Sequence, residues 1–127
     1  MSRRFVTAVF GGLICSASLL TTVYEATASQ HGKASWYAMT SRTASGERAD
    51  PNKMTAAHRS LKFGTRIRVT NLRNGRSVVV CVNDRGPFIK GRIVDVTKAA
   101  ARRLGFVRSG WTRVRLDVTG RPSRRCS

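Results

Sequence analysis

The chain carries at residues 78–88 the sequence VVVCVNDRGPF, an apolar run that ends in an aspartate and a turn. Residues 78–82 are β-branched except for Cys81, which packs as a small apolar residue, and they predict a fully buried strand. The Gly86-Pro87 pair predicts a turn directly afterwards. Asp84 is therefore expected where a rigid strand gives way to a loop, a position typical of catalytic side chains. We take Asp84 as the first candidate for a catalytic acid.

The segments around this run predict further strands and one helix. Residues 65–71 alternate between inward and arginine-bearing outward positions, and Asn74-Gly75 is a strong signal for a hairpin that pairs them with residues 77–83. Thr97 predicts the N-terminal cap of a helix over residues 98–104, with Gly105 as its stop. The remaining strands are predicted at residues 34–38, 92–96 and 111–118. The pattern indicates a small, mainly β domain.

The size and the N-terminal sequence indicate one exported domain. The chain has 127 residues and a formal net charge of +18, which leaves room for one small domain. Residues 1–28 have the basic start, apolar segment and A-x-A site of a secretory signal, so we expect a signal peptide at 1–28, a folded domain at 29–120 and a flexible basic tail at 121–127. A retained N-terminal anchor is the alternative, but the apolar segment is too short and interrupted for a stable membrane span. The expected location is the periplasm or the cell envelope.

Two cysteines, Cys81 and Cys126, would remain after cleavage in a compartment where disulfides persist. They form either a bridge or a buried Cys81 and a free thiol at Cys126, because sequence cannot test the geometry. No C-x-x-C or H-E-x-x-H spacing occurs, so neither a metal nor a cofactor is expected.

A long loop and an aromatic pair are the other candidate functional features. Residues 39–53 are rich in Thr, Ser, Gly, Asp and Pro and predict a loop of a length that is usually functional. Glu47 and Asp50 fall in it, with solvated loop charges as the ordinary alternative. Trp36 and Tyr37 are adjacent in a predicted strand, so one should be buried and the other exposed. Trp36 is expected either to pack in the core or to serve as a platform for a sugar ring.

Eight short segments then occur in the order typical of a known family. They are ASWY at 34–37, TASGE at 43–47, TAAHR at 55–59, FGT at 63–65, VTN at 69–71, NGR at 74–76, NDRGPF at 83–88 and GRIVD at 91–95. With them the chain resembles, over residues 32–118, the RlpA family of bacterial rare lipoprotein A-like septal lytic transglycosylases. The resemblance implies a mainly β fold, a six-stranded double-psi β-barrel with one or two short helices, which expansins share.

The resemblance also implies an activity. Members of the family cleave the β-1,4 bond between N-acetylmuramic acid and N-acetylglucosamine in peptidoglycan strands poor in stem peptides, and they leave 1,6-anhydro-muramyl ends. The muramyl C6 hydroxyl attacks the anomeric carbon, so one carboxyl group can first protonate the leaving oxygen and then accept the hydroxyl proton.

The family's functional residues fall on matching positions of this chain. Asp84 is expected to be the acid/base, and Glu47 to hold the C6 hydroxyl or to stabilise positive charge at the anomeric carbon, although these two roles could be exchanged. His58 is expected to orient one of the carboxylates. The complete candidate site has Asp84, Glu47 and His58 as catalytic residues and Asp50, Trp36, Tyr37 and Arg85 as substrate-binding residues, with charge balance as the alternative role of Arg85.

The expected partner is the peptidoglycan glycan strand, bound by a monomer. A strongly positive surface suits a polyanionic envelope, and it would also attract nucleic acid. Export and the lack of a nucleic-acid motif argue against nucleic acid as the partner. The competing hypothesis is an expansin-like protein that binds and loosens wall polymers without cutting a bond.

Overall fold

A computed structural model describes residues 11–12, 29–120 and 122–126. These residues form six strands and one helix. The elements are β1 (Gln30–Tyr37), β2 (Thr55–Ala57), β3 (Arg66–Asn71), β4 (Ser77–Asp84), β5 (Arg92–Thr97), α1 (Lys98–Leu104) and β6 (Trp111–Val118). The predicted signal peptide lies outside the described residues except for Gly11 and Gly12. No helix in the described residues is long and apolar enough to span a membrane.

The strands close into a barrel in the order β1-β5-β2-β4-β3-β6. β1 runs parallel to β5 and β2 runs parallel to β4, while the four other neighbouring pairs are antiparallel. Closure pairs every strand on both sides and leaves no free sheet edge. The expected six-stranded, mainly β barrel is therefore confirmed, with one short helix among the described residues.

Local sequence signals explain several of these elements. β3 and β4 form the predicted hairpin, and its turn contains Gly75 in the left-handed region at φ 76°. The side chain of Thr97 accepts a hydrogen bond from the Ala100 amide and caps α1, which ends at Gly105 with φ 80°. Both turns use glycine because a side chain is disfavoured at such positive φ angles.

The inward faces of the strands and one face of α1 build the core. Its fully buried members include Ile67, Val80, Val82, Val94, Val96, Leu104 and Val114. The prediction that residues 78–82 are all buried is wrong at Val79, which is 40% exposed. The start of β4 alternates like an ordinary half-buried strand, because its outer face meets solvent, and only residues from Val80 to Asn83 are continuously buried.

Candidate active site

Two motif segments meet because β2 runs parallel to β4. The register places Ala57 opposite Asp84, and the next amide, that of His58, donates to the carbonyl oxygen of Asp84 at 3.1 Å. The segment that ends in His58 and the segment that ends in Asp84 thus lie side by side, although these two residues are 26 positions apart in sequence. The barrel topology thus brings the segments that carry His58 and Asp84 together.

Asp84 is half-buried at the end of β4 and is held by two backbone amides. Its Oδ1 accepts hydrogen bonds from the amides of Ala44 and Arg85, both at 2.9 Å. Among the described residues, these hydrogen bonds reach Oδ1 and not Oδ2. The carboxyl group is therefore oriented by one oxygen, while the other is available for a proton.

The Ala44 amide belongs to a tight turn, residues 43–47, that docks on the same strand end. Both the amide and the hydroxyl of Thr43 donate to the Glu47 carbonyl at 2.8 Å. The Ser45 amide donates to the carbonyl of Asn83 at 3.2 Å, and the Ser45 hydroxyl accepts from the Glu47 amide. These contacts close the turn and fix it to the end of β4.

Glu47 sits at the end of this turn with both carboxylate oxygens engaged. Asn83, which is 2% exposed, donates through Nδ2 to Oε2 at 3.4 Å, and the Cys126 amide donates to Oε1 at 3.0 Å. Glu47 is thus bound to Asn83, and Asp84 is the next residue of the same strand. Glu47 meets the side chain of Asn83, whereas Asp84 meets the turn at Ala44.

A cavity of about 480 Å³ opens beside Glu47. Its walls come from the loop, from the strand ends and from the C-terminal segment, and they comprise Ser45, Gly46, Glu47, Arg48, Asp50, Lys53, Thr55, Phe63, Asn83, Arg124, Arg125 and Cys126. Of the seven candidate site residues, Glu47 and Asp50 line this cavity and the other five lie outside its lining. Asp50 Oδ1 accepts from the Asn52 amide at 2.9 Å, so it also shapes the loop.

Tyr37 is the last residue of β1 and lies near the carboxylates of Asp84 and Asp95. Burial, followed by the charges of Asp84 and Asp95, raises the pKa of Tyr37 to about 12, so the hydroxyl keeps its proton. The Thr55 side chain lies near this hydroxyl and opposes the rise in its pKa. The Thr55 and Tyr37 side chains nevertheless lack the geometry of a hydrogen bond. The buried Tyr37 hydroxyl has no partner in the part of the chain that the structure describes.

The side chain of His58 makes no hydrogen bond to Glu47 or Asp84 in the described structure. Its Nδ1 accepts from the amides of Ser60 and Leu61, both at 3.1 Å, so the proton is on Nε2, which donates to Gln30 Oε1 at 2.9 Å. Burial and the nearby guanidinium groups of Arg85 and Arg59 lower the pKa of His58. The expected orienting hydrogen bond to a carboxylate is absent here, because both ring nitrogens are used by the backbone and by Gln30.

Arg85 and Trp36 are engaged within the fold. Arg85 donates through Nη1 to the carbonyls of His58 and Leu61, at 3.2 and 2.8 Å, and its guanidinium lies 4.0 Å from the centre of the Phe63 ring. Trp36 packs on the core and donates through Nε1 to the Val107 carbonyl at 3.1 Å. Trp36 and Tyr37 are both half-buried, so the expected split into one buried and one exposed ring is wrong.

The C-terminal segment, residues 122–126, is attached to the barrel. Cys126 forms a disulfide with Cys81 of β4, which decides between the two cysteine states that the sequence left open. The Ser123 amide donates to the Gly64 carbonyl at 3.1 Å. The expectation of a flexible tail is wrong for these residues, because a covalent bond and backbone contacts hold them.

Other site features carried little sequence signal. The sequence predicts Asn83, the buried partner of Glu47, only as the last residue of a strand. Its position directly before Asp84 is the one signal that could indicate a role in the site. Phe88 follows the Asp84 turn and is 79% exposed. Arg59 braces that turn by donating to the carbonyls of Pro87, Ile89 and Arg92. In the described residues, no three His, Cys, Asp or Glu side chains form a group that could hold a metal ion.

The chain is similar in sequence to one protein family over most of its length. A double-psi β-barrel family model described as "Lytic transglycolase" matches residues 29–116. A probable endolytic peptidoglycan transglycosylase RlpA of Nostoc sp. is 54% identical over 105 residues, which cover 83% of this chain and 28% of that protein. The endolytic peptidoglycan transglycosylase RlpA of Neisseria meningitidis is 52% identical over 91 residues, which cover 69% of this chain and 38% of that protein. The chain thus spans about a third of the length of such relatives.

Solved structures support the fold. The Streptomyces papain inhibitor superposes with a TM-score of 0.62 at 20% identity, covering 72% of this chain and 94% of the inhibitor. An expansin of Clavibacter michiganensis superposes with a TM-score of 0.60 at 23% identity, covering 75% of this chain and 52% of the expansin. At such identities the likeness concerns the barrel alone.

Proposed function

Because this chain belongs to the RlpA family of lytic transglycosylases, we propose that it cleaves peptidoglycan glycan strands internally. The bond cut is the β-1,4 bond between N-acetylmuramic acid and N-acetylglucosamine, in strands poor in stem peptides, and the products carry 1,6-anhydro-muramyl ends. The relatives named endolytic peptidoglycan transglycosylase support this activity for a chain that corresponds to part of their length.

The observation that carries the proposal is that two carboxylates meet at the end of β4, where one of them, Glu47, also lines an open cavity. Asn83 holds Glu47, and Asp84 follows directly with its own carboxyl group oriented by two amides. The last residues of a strand in a closed barrel are rigid, which suits groups that must meet a reacting bond at fixed distance.

Asp84 serves as the acid and then as the base. Since Oδ1 accepts two amide hydrogens, the proton is carried on Oδ2 and passes to the glycosidic oxygen as the bond from the anomeric carbon to that oxygen breaks. The muramyl C6 oxygen forms the new bond to the anomeric carbon, and its proton returns to Asp84. The net change is one proton moved from the C6 hydroxyl to the leaving oxygen.

Glu47 stabilises the positive charge that develops at the anomeric carbon, or it holds the C6 hydroxyl. Both of its oxygens accept hydrogen bonds, so the carboxylate is held in a fixed orientation at the cavity wall. A fixed negative charge at a cavity wall is the arrangement that an oxocarbenium-like transition state needs. If the two roles are exchanged, Glu47→Gln should lower the rate of product release more than Asp84→Asn does.

The cellular setting of the proposal follows from the sequence. The signal-like residues 1–28 support export, with action in the periplasm or cell envelope, and a monomer suffices because one chain supplies all the proposed site residues. Without residues 1–28 the chain has 22 basic and 5 acidic side chains, a net charge of +17, which supports attraction to a polyanionic wall.

The test is digestion of glycan strands stripped of stem peptides, with mass analysis of the products. Wild-type protein should release fragments with anhydromuramyl ends. Asp84→Asn should reduce the rate about a thousandfold, because it removes the proton carrier while keeping an oxygen for the two amides. Asp117→Asn is the matched control: Asp117 lies on β6 and pairs with Arg115 at 3.0 Å, so that rate should not change.

The same experiment separates cleavage from expansin-like binding. Binding of each variant to purified sacculi is measured by sedimentation alongside the digestion. An enzyme binds and releases anhydro ends. If wild type binds sacculi but releases none, and Asp84→Asn binds equally well, the protein loosens wall polymers and does not cut them.

A further inference from the structure

Residues 122–126 reach the candidate site through close contacts with the barrel. The Cys81–Cys126 disulfide joins them to β4, and Arg66 donates through Nη1 to Ser123 Oγ at 2.8 Å. Gly64 lets the segment approach, because a Cβ at this position would lie 1.6 Å from the Ser123 carbonyl oxygen. The barrel surface at Gly64 and Arg66 therefore allows close packing of this segment.

This segment meets Glu47 directly. The Cys126 amide donates to Glu47 Oε1 at 3.0 Å, which is closer than the 3.4 Å bond from Asn83 to Oε2. Arg124 and Arg125 line the cavity alongside Glu47, and about 480 Å³ of the cavity stays open. The segment thus forms one wall of the cavity and does not fill it, which suits a supporting role better than a blocking one.

We propose that Cys126 is a positioning residue for Glu47, fixed in place by its disulfide to Cys81. The inference rests on the proposed function for its meaning in catalysis. Glu47 belongs to a loop with no strand or helix of its own, and a free glutamate side chain samples many rotamers. The Cys126 amide removes that freedom, and the disulfide ties the amide to β4, the strand that also carries Asn83 and Asp84.

The proposal gives the disulfide a function besides stability. A cross-link between residues 45 positions apart stabilises a fold by constraining the unfolded chain. Here it also places a hydrogen-bond donor against a proposed catalytic carboxylate, and therefore couples turnover to an oxidising compartment. Loss of the bridge should lower kcat more than it raises KM, because orientation of Glu47 matters most in the transition state.

The first experiment requires no enzymatic activity and keeps the disulfide intact. The amide proton of Cys126 is observed by NMR in wild type, Glu47→Gln and Asp50→Asn. Donation to a carboxylate shifts an amide proton downfield, so Glu47→Gln should move the Cys126 signal upfield. Asp50→Asn, a change of the same kind at another carboxylate of the same cavity, should leave it in place. An unmoved signal in Glu47→Gln would overturn the proposal even if the enzyme proves inactive.

The second experiment is a double-mutant cycle on kcat. Cys81→Ala with Cys126→Ala should lower kcat about tenfold in the wild-type background. The same pair should have no further effect in the Glu47→Gln background, because the positioned group is already gone. Equal losses in both backgrounds, unchanged kcat or a gain in kcat each contradict the proposal, and circular dichroism establishes that every variant is folded at the assay temperature. Absence of turnover in wild type refutes the proposed function and leaves the NMR result to decide the positioning.

Discussion

The barrel wall and the loop of residues 38–54 differ in what holds them. In the wall, each strand pairs with two neighbours, and branched apolar side chains fill the interior. In the loop, Ala49 is buried and Met54 packs against the core, whereas the turn of residues 43–47 is held by polar contacts. Thr43 and Ser45 close this turn, and Asp84 and Asn83 attach it to β4. The wall is therefore specified by burial, and the turn mainly by a few hydrogen bonds. Substitutions in the wall should act on the whole fold, and those in the loop should act locally.

The largest expected effect is in the wall. Ile67→Ala removes a fully buried side chain from β3 and should lower the free energy of unfolding by about 3 kcal/mol. Val79→Ala, on the neighbouring strand with 40% exposure, is the control and should cost less than about 1 kcal/mol. Urea denaturation measures both. Equal losses would mean that the barrel interior does not dominate stability.

A second effect concerns His58, which links the wall to the site. His58→Gln should cost about 2 kcal/mol at pH 7.5, because the Ser60 and Leu61 amides lose their acceptor. The pKa of His58 is lowered in the fold, so its contribution is complete above the unfolded pKa of about 6.5 and decreases as the pH falls towards the lower folded pKa.

The difference between wild type and His58→Gln should accordingly be smaller at pH 5 than at pH 7.5. Urea denaturation of both proteins at the two pH values provides the comparison. A difference that stays constant with pH would show that the buried imidazole does not resist protonation.

Sequence predicted the wall far better than the site. The alternation in residues 65–71 and the Asn74-Gly75 turn determine a hairpin locally, and Thr97 and Gly105 mark the ends of α1 in the same way. The contacts that build the site join distant positions, such as Glu47 with Asn83 and with Cys126. Periodicity carries no information about such pairs. The family motifs indicated Glu47 and Asp84, but they did not indicate the amides that hold them.

A third prediction tests the loop attachment. Asp84→Ala leaves the Ala44 and Arg85 amides without their acceptor, whereas Asp84→Asn keeps an oxygen there. The alanine variant should be about 1 kcal/mol less stable than the asparagine variant, a modest loss because Ala44 is exposed and water replaces part of the bond.

Hydrogen exchange locates this change. In Asp84→Ala, amides of residues 43–47 should exchange faster than in Asp84→Asn, while those of β3 and β6 should not change. Uniformly faster exchange across the barrel would contradict the view that the loop is a locally held unit.

The smallest expected effect distinguishes two buried hydroxyl groups. Tyr37 buries a hydroxyl with no partner among the described residues, whereas Thr112, in the wall, donates to Asn71 Oδ1 at 2.8 Å. Burying an unpaired polar group is unfavourable, so Tyr37→Phe should raise the free energy of unfolding by up to about 1 kcal/mol. Thr112→Val removes a satisfied hydroxyl and should lower it by about 1 kcal/mol. Urea denaturation measures both. If Tyr37→Phe also lowered the free energy of unfolding, the Tyr37 hydroxyl would be as well satisfied as that of Thr112.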